Sequence, residues 1–251
     1  MRILVANDDG YLATGIRTLV AVLRSRGHHV VVVAPDRNRS AASQSLTLSR
    51  PLRLHDHGDG WFTVDGTPAD AVQIALNGGL DFTPDMVISG INHGANLGTD
   101  VIYSGTVACA LEGFMMGYPG VAVSLVSDDH SYEHFDTAAQ VAAHLSERWL
   151  DMPLNKAAIL NINVPDLKIL NLKPAKLSRL ARRNGSGEVI AQTDPRGGRV
   201  FWIGPPGEVV DTHEDTDFTH VKQGHASVTP IALDMMNYAI ESELDQWLNT
   251  L

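Results

Sequence analysis

The sequence predicts an α/β sandwich: a mostly parallel sheet with helices on both faces, then a β-rich C-terminal extension and a terminal helix. Three observations carry this. Short apolar runs at 3–6 and 29–34, and mainly apolar ones at 85–89, 121–126 and 158–164, read as strands of a sheet buried on both faces. Segments of helical periodicity separate most of them, and strands joined through helices run parallel. Beyond Pro165 the chain turns rich in Gly, Pro and charge. That shift divides it into a Rossmann-like α/β domain at 1–165 and an extension at 166–251.

The first run ends in Asn7-Asp-Asp-Gly10. Residues 15–26 follow with Ile16, Leu19, Val20 and Leu23 at helical spacing, and Gly27 is placed to end that helix. The second strand, 29–34, stops at Pro35. A polar loop, Asp36-Arg-Asn-Arg-Ser-Ala-Ala-Ser-Gln-Ser45, comes next. Two short runs at 52–55 and 61–64 flank His57-Gly-Asp-Gly60, which is a hairpin pattern. Thr67 and Pro68 are a helix start, as N-cap and first helical residue, and the helix should reach Leu76.

The third strand leads into Gly90-Ile-Asn-His-Gly-Ala-Asn-Leu-Gly-Thr-Asp100. Ser104-Gly-Thr106 opens a helix over 107–116. Residues 134–150 form another helix, between the strands at 121–126 and 158–164. The stretch 167–230 reads as small strands and loops leading away from the main sheet. A helix over 234–248 closes the chain, with Met236, Ile240, Leu244, Trp247 and Leu248 on one stripe.

With 251 residues and 44% hydrophobic content, the chain can bury a sizeable core. A formal net charge of -10 argues against nucleic-acid polymers or an anionic membrane as the main partner. Cys109 is the single cysteine, so a disulfide framework or Cys-rich zinc site is excluded, and its apolar neighbours make it a small core residue. With no signal-peptide pattern and no run approaching the ~20 apolar residues of a membrane span, the expectation is a soluble cytoplasmic protein.

Adjacent carboxylates repel unless a proton or cation lies between them. Asp8-Asp9 ends strand one, Ser40 follows strand two and Asn92 follows strand three. All lie beyond carboxyl ends of parallel strands, where α/β sheets bind ligands. Two carboxylates, a hydroxyl and an amide oxygen suit a hard cation, Mg²⁺ or Mn²⁺. Taken singly, Asp8-Asp9-Gly10 also reads as a turn, Ser40 as a loop serine and Asn92 as a turn residue. Ser104-Gly-Thr106 is open between a plain N-cap and a helix N-terminus that binds phosphate; Asn96 and Ser43 stand ready to add polar groups.

Of the 11 histidines, His55 and His57 sit at a hairpin end and read as exposed. His213, Glu214, Asp215, Asp217 and His220 read as a solvated acidic surface. There is no Gly-x-Ser-x-Gly, no Gly-x-Gly-x-x-Gly after strand one and no P-loop pattern.

Six stretches, in order, resemble the stationary-phase survival protein SurE family: Ile3-Leu-Val-Ala-Asn-Asp-Asp-Gly10, Ala34-Pro-Asp-Arg-Asn-Arg-Ser40, Gly66-Thr-Pro-Ala-Asp70, Ser89-Gly-Ile-Asn-His-Gly-Ala-Asn96, Tyr103-Ser-Gly-Thr-Val107 and Ser227-Val-Thr-Pro230. The resemblance implies a Rossmann-like sheet whose extension is exchanged between subunits of a homodimer or homotetramer. It also implies a metal-dependent 5′-nucleotidase, acting on 3′-monophosphates and short polyphosphate as well. It makes Asp8, Asp9, Ser40 and Asn92 the ligands of one Mg²⁺ or Mn²⁺ per subunit. It places Ser43, Asn96, Ser104, Gly105 and Thr106 around the phosphate, with Asp8 or Asp9 activating water.

Two residues depart from the family pattern. Ala41 stands where glycine is usual, which strains the loop if that residue needs positive φ. His225 stands where an aromatic residue is frequent. A nucleotide-sugar glycosyltransferase and a non-catalytic nucleotide-binding module are the alternatives; a second Rossmann domain after 165 would favour the first.

Overall fold

The computed structural model describes residues 1–211 and 213–250. The chain order is β1 (Arg2–Ala6), α1 (Thr14–Ser25), β2 (His29–Pro35), β3 (Leu54–Asp56), β4 (Trp61–Val64), α2 (Pro68–Ile74), β5 (Met86–His93), α3 (Gly105–Met115), β6 (Gly120–Val126), α4 (Phe135–Leu150) and β7 (Ile159–Pro165). Then come β8 (Lys173–Leu177), β9 (Ile190–Thr193), β10 (Arg199–Trp202), α5 (Asp217–Lys222), β11 (His225–Ile231) and α6 (Glu241–Leu248).

Among the described residues, nine strands form one sheet in the order β3-β4-β2-β1-β5-β6-β7-β11-β8. From β4 to β7 neighbouring strands are parallel, as the continuous apolar runs require. Alternate side chains of each strand feed two cores. Ile3 and Val5 pack with Ile16, Leu19 and Leu23 of α1 and with Ala138, Ala139 and Ala142 of α4. Leu4 and Ala6 pack with Ala71 and Val72 of α2 and Cys109 of α3. Each fully buried aliphatic side chain of this kind contributes about 1.5–3 kcal/mol.

The helix signals hold locally. Thr67 caps α2 by accepting the Asp70 N–H at 3.1 Å, while the Asp70 carboxylate takes the Thr67 N–H at 2.8 Å. Gly27, just past α1, has φ +83°, a left-handed geometry that suits glycine.

The face assignments have a topological consequence. Going from β6 through α4 to β7, the chain moves the same way along the sheet as from β5 through α3 to β6. Yet α4 lies on the face of α1, opposite α3. The β6–α4–β7 crossover therefore has the opposite hand to the other helical crossovers, against the usual uniformity.

Four expectations change. Strands β8 and β11 join the main sheet, with β11 antiparallel to β7, so among the described residues only the β9–β10 hairpin stands apart from it. Strand β5 runs on to His93, with a register shift against β6 between Ser89 and Asn92. The closing helix starts at Glu241, because Asp234 takes the Met236 N–H (2.9 Å) and the Tyr238 hydroxyl (2.5 Å) and so turns the chain before it. The stripe of Met236, Ile240, Leu244, Trp247 and Leu248 is exposed.

Fourth, Asp217 and His220 are buried. Asp217 accepts the N–H groups of Gly98 (2.6 Å) and Ala181 (3.1 Å), and His220 meets the Ser178 hydroxyl at 2.8 Å. A buried carboxylate persists when backbone N–H groups satisfy it. Burial raises its pKa, and these N–H groups oppose the rise.

His55 and His57 are exposed and Cys109 is buried, as read from the sequence. Among the described residues, no helix is long and apolar enough to cross a membrane.

Candidate functional site

Strands β1, β2 and β5 are adjacent and parallel, so their carboxyl ends open on one rim. Asp8 and Asp9 leave the tip of β1. Asp8 is buried, and its Oδ1 accepts the Thr106 hydroxyl at 2.5 Å. Burial pushes the Asp8 carboxyl up to about 6; the Thr106 hydroxyl opposes the rise and the neighbouring Asp9 charge adds to it.

Gly105 makes this approach possible. A Cβ built on it would lie 2.8 Å from Asp8 Cβ and 2.9 Å from Asp8 Oδ2. The start of α3 can rest against the carboxylate only without a side chain there.

Asp9 is tied to the two neighbouring loops. Its Oδ2 accepts the backbone N–H and the Nδ1 of His93, both at 3.0 Å. Asn38 Nδ2 reaches its Oδ1 at 3.4 Å. The Oδ1 of the same Asn38 takes the Ser40 N–H (2.8 Å) and hydroxyl (2.7 Å). Ser40 thus stands next to Asp9 through Asn38, with its oxygen lone pairs uncommitted. The loop is pinned further by the Arg39 N–H on the Asp8 carbonyl at 2.7 Å. Ala41 has φ +59° and Ser43 φ +55°, left-handed values that cost non-glycine residues energy.

Asn92, at the end of β5, donates its Nδ2 to the Gly94 carbonyl at 2.9 Å, which leaves Oδ1 as a free acceptor. Among the described residues, no Lys or Arg pairs with Asp8 or Asp9, and no three His, Cys, Asp or Glu side chains are grouped to hold a metal. Two acidic groups with no Lys or Arg partner among the described residues, on one rim with a hydroxyl and an amide oxygen, suit a hard divalent cation. These residues fit one.

The proposed phosphate side is mixed. Ser104 is the N-cap of α3: its hydroxyl oxygen accepts the Val107 N–H at 3.0 Å, so its hydrogen remains to donate. Thr106 spends its hydroxyl on Asp8. Ser43 donates its own hydroxyl to the Ile102 carbonyl at 2.7 Å and ties its loop to the one before α3. Asn96 is buried: its Nδ2 meets the Ser124 hydroxyl at 2.8 Å, and its backbone N–H donates to Asn163 Oδ1 at 2.8 Å. Asn161 and Asn163 both donate to its carbonyl. The structure thus makes Asn96 an anchor of the 92–98 loop.

His93 and Asn38 were missed as site residues. Both lie inside stretches that carry the family resemblance, beside Asn92 and Ser40. The acid-and-oxygen pattern on the rim simply did not ask what holds the ligands.

Comparisons with known proteins identify the family. The profile described as Survival protein SurE matches residues 3–187. A protein of Stenotrophomonas maltophilia (strain R551-3) named 5′-nucleotidase SurE is 51% identical over 251 residues, spanning 100% of this chain and 97% of that protein. One of the same name from Laribacter hongkongensis (strain HLHK9) is 49% identical over 249 residues, spanning 99% and 100%. The crystal structure of the SurE protein from Aquifex aeolicus superposes with a TM-score of 0.86 at 37% identity, covering 99% of this chain and 100% of that one. With the Asp8-Asp9 tip, the Ser40 loop and the Asn92 strand end on one rim of the same fold, the chain belongs to the SurE family of survival proteins.

Proposed function

We infer that this chain is a metal-dependent phosphomonoesterase that releases phosphate from nucleoside 5′-monophosphates. One observation supports the reading: Asp8, the first of the proposed oxygen ligands Asp8, Asp9, Ser40 and Asn92, abuts the N-terminus of α3 through Thr106 and Gly105. Relatives named 5′-nucleotidase SurE, about half identical along the whole chain, support it. Among the described residues of the extension there is no second parallel α/β sheet, so the glycosyltransferase alternative is not favoured.

Asp8, Asp9, Ser40 and Asn92 would hold one Mg²⁺ or Mn²⁺. When bound, that ion neutralises phosphate oxygens and makes a coordinated water more acidic. The chain's own groups do the rest. The first amides of a helix lack intrahelical acceptors, so the Gly105 N–H and the Ser104 hydroxyl are placed to hold phosphate oxygens and the charge that grows on them. The Thr106 hydroxyl fixes Asp8. Ser43 and Asn96 line and brace the pocket. One carboxylate of the Asp8–Asp9 pair takes the proton of the attacking water. A water-oxygen bond to phosphorus forms as the ester oxygen bond to phosphorus breaks, and the leaving alkoxide takes a proton from solvent water.

The exposed apolar side chains of β10 and α6 support a homodimer or homotetramer built through residues 166–251. A single buried thiol suits the reducing cytoplasm.

The test is phosphate release from a panel of nucleoside 5′- and 3′-monophosphates and short polyphosphate, with Mn²⁺, Mg²⁺ or chelator. Turnover of 5′-monophosphates that chelation abolishes is expected. Undiminished turnover after exhaustive chelation removes the metal, and binding without turnover selects the non-catalytic module.

A further inference from the structure

Asp9 is held by more than its place in the chain. A carboxylate only accepts hydrogen bonds, so the His93 nitrogen 3.0 Å from Asp9 Oδ2 carries the hydrogen, which fixes the ring as its Nδ1–H form. The His93 backbone N–H reaches the same oxygen, also at 3.0 Å. Both donors of one residue therefore converge on one carboxylate oxygen.

The ring is itself held. Its centroid lies 4.5 Å from that of Phe135, the first residue of α4, and 5.7 Å from that of Tyr132 in the loop after β6. The reversed crossover takes this loop onto the α1 face, where both aromatic rings meet His93. Phe135 is buried in the core on that face, so the chain of support runs from core to ring to carboxylate.

The counterpart on Asp8 is the Thr106 hydroxyl, which also engages one oxygen, Oδ1. Each acid has one oxygen fixed by a strong donor, while Asp9 Oδ1 keeps only the longer 3.4 Å contact of Asn38 Nδ2.

We propose that His93 is a positioning residue of the cation site. By engaging Asp9 Oδ2 it turns Oδ1 to the cation, and it couples Asp9 to Asn92, the ligand one residue before it on β5. Groups that orient metal ligands in this way set metal affinity. The inference rests on the cation reading above.

Two variants separate hydrogen bonding from packing. His93→Phe keeps a ring against Tyr132 and Phe135 but has no donor. His93→Asn loses the ring but keeps an N–H near the position of Nδ1. Mn²⁺ binding is measured by calorimetric titration of the whole chain, beside thermal melting of the metal-free protein and the KM and kcat for a nucleoside monophosphate. Phe is expected to weaken Mn²⁺ binding about 10- to 100-fold, and Asn to recover most of that loss. Melting of the metal-free protein should be less affected by Phe than by Asn, the reverse of the metal ranking. At saturating Mn²⁺ the KM should stay near the parent value.

Parent-like Mn²⁺ affinity in the Phe variant overturns the proposal. So does an Asn variant that binds no better than Phe. A parent chain that neither binds Mn²⁺ nor releases phosphate overturns the cation reading itself, and the clamp with it.

Discussion

Ile3, Leu4, Leu19 and Ile162 are fully buried, whereas Phe201 is 56% exposed, Trp202 63%, Ile203 87% and Trp247 58%. The sheet between β4 and β7 completes its core within one chain and holds the rim residues in fixed hydrogen bonds. The β9–β10 hairpin and α6 lay large apolar side chains open, at a cost of about 25 cal/mol for each Å² left in water. The first region is built to hold chemistry still. The second leaves apolar surface in water, which supports the proposed contact with a second copy of the chain.

The sharpest way to break this contrast is to damage one region and watch the other. Asp8→Asn or Asp9→Asn is expected to lower phosphate release by about 10³-fold or more, a loss of roughly 4 kcal/mol of transition-state stabilisation, with the oligomer unchanged by sedimentation. Near-normal turnover in either variant removes that residue from the site. Conversely, Trp202→Glu combined with Trp247→Glu should shift the sedimenting mass toward the monomer while Mn²⁺ binding persists. An unchanged mass would mean that these surfaces do not join subunits.

A smaller effect concerns protons at the rim. Burial holds the metal-free Asp8 carboxyl at about 6, above its ordinary value of 3.8. Its ionised form is therefore depleted below about pH 6, and a cation must displace a proton there. Mn²⁺ affinity should fall by about fivefold from pH 6 to 5 and change little from 7 to 8. In the metal-free protein the sign is that of any raised carboxyl: this group's contribution is present below its unfolded pKa and is lost as pH rises through about 6. Equal Mn²⁺ affinity at pH 5 and 7.5 would mean that Asp8 is not a ligand.

The smallest effect is local. With φ +59°, Ala41→Gly should relieve strain and raise unfolding stability by about 1 kcal/mol, read from thermal melts. A lower melting temperature would show that Ala41 carries no strain.

The same contrast governs what could be read from the sequence. The central strands were legible because burial on both faces leaves continuous apolar runs, and the rule that ligands sit at carboxyl ends then brought Asp8, Asp9, Ser40 and Asn92 together. The hand of the β6–α4–β7 crossover was not legible. Periodicity reports which side of α4 is apolar, but not which face of the sheet it covers. Strand β8, Lys173-Pro-Ala-Lys-Leu177, is polar because it sits at an edge, and it carries no buried-strand pattern. Asp217 looked like surface because its partners, the N–H groups of Gly98 and Ala181, are remote backbone groups that no local pattern encodes. His93 and Asn38 escaped for the same reason: each acts on Asp9 across a gap between loops. Thr106 was placed on the phosphate side, but its hydroxyl serves Asp8.

Calorimetric titration of Mn²⁺ into the parent chain and into Asp9→Asn tests the cation site most directly, since it reads the metal without the reaction. The expected result is one ion per chain for the parent and binding weakened by about 100-fold or more in the variant. Equal binding by the two proteins, or no binding by the parent, would contradict the placement of the cation at Asp8, Asp9, Ser40 and Asn92.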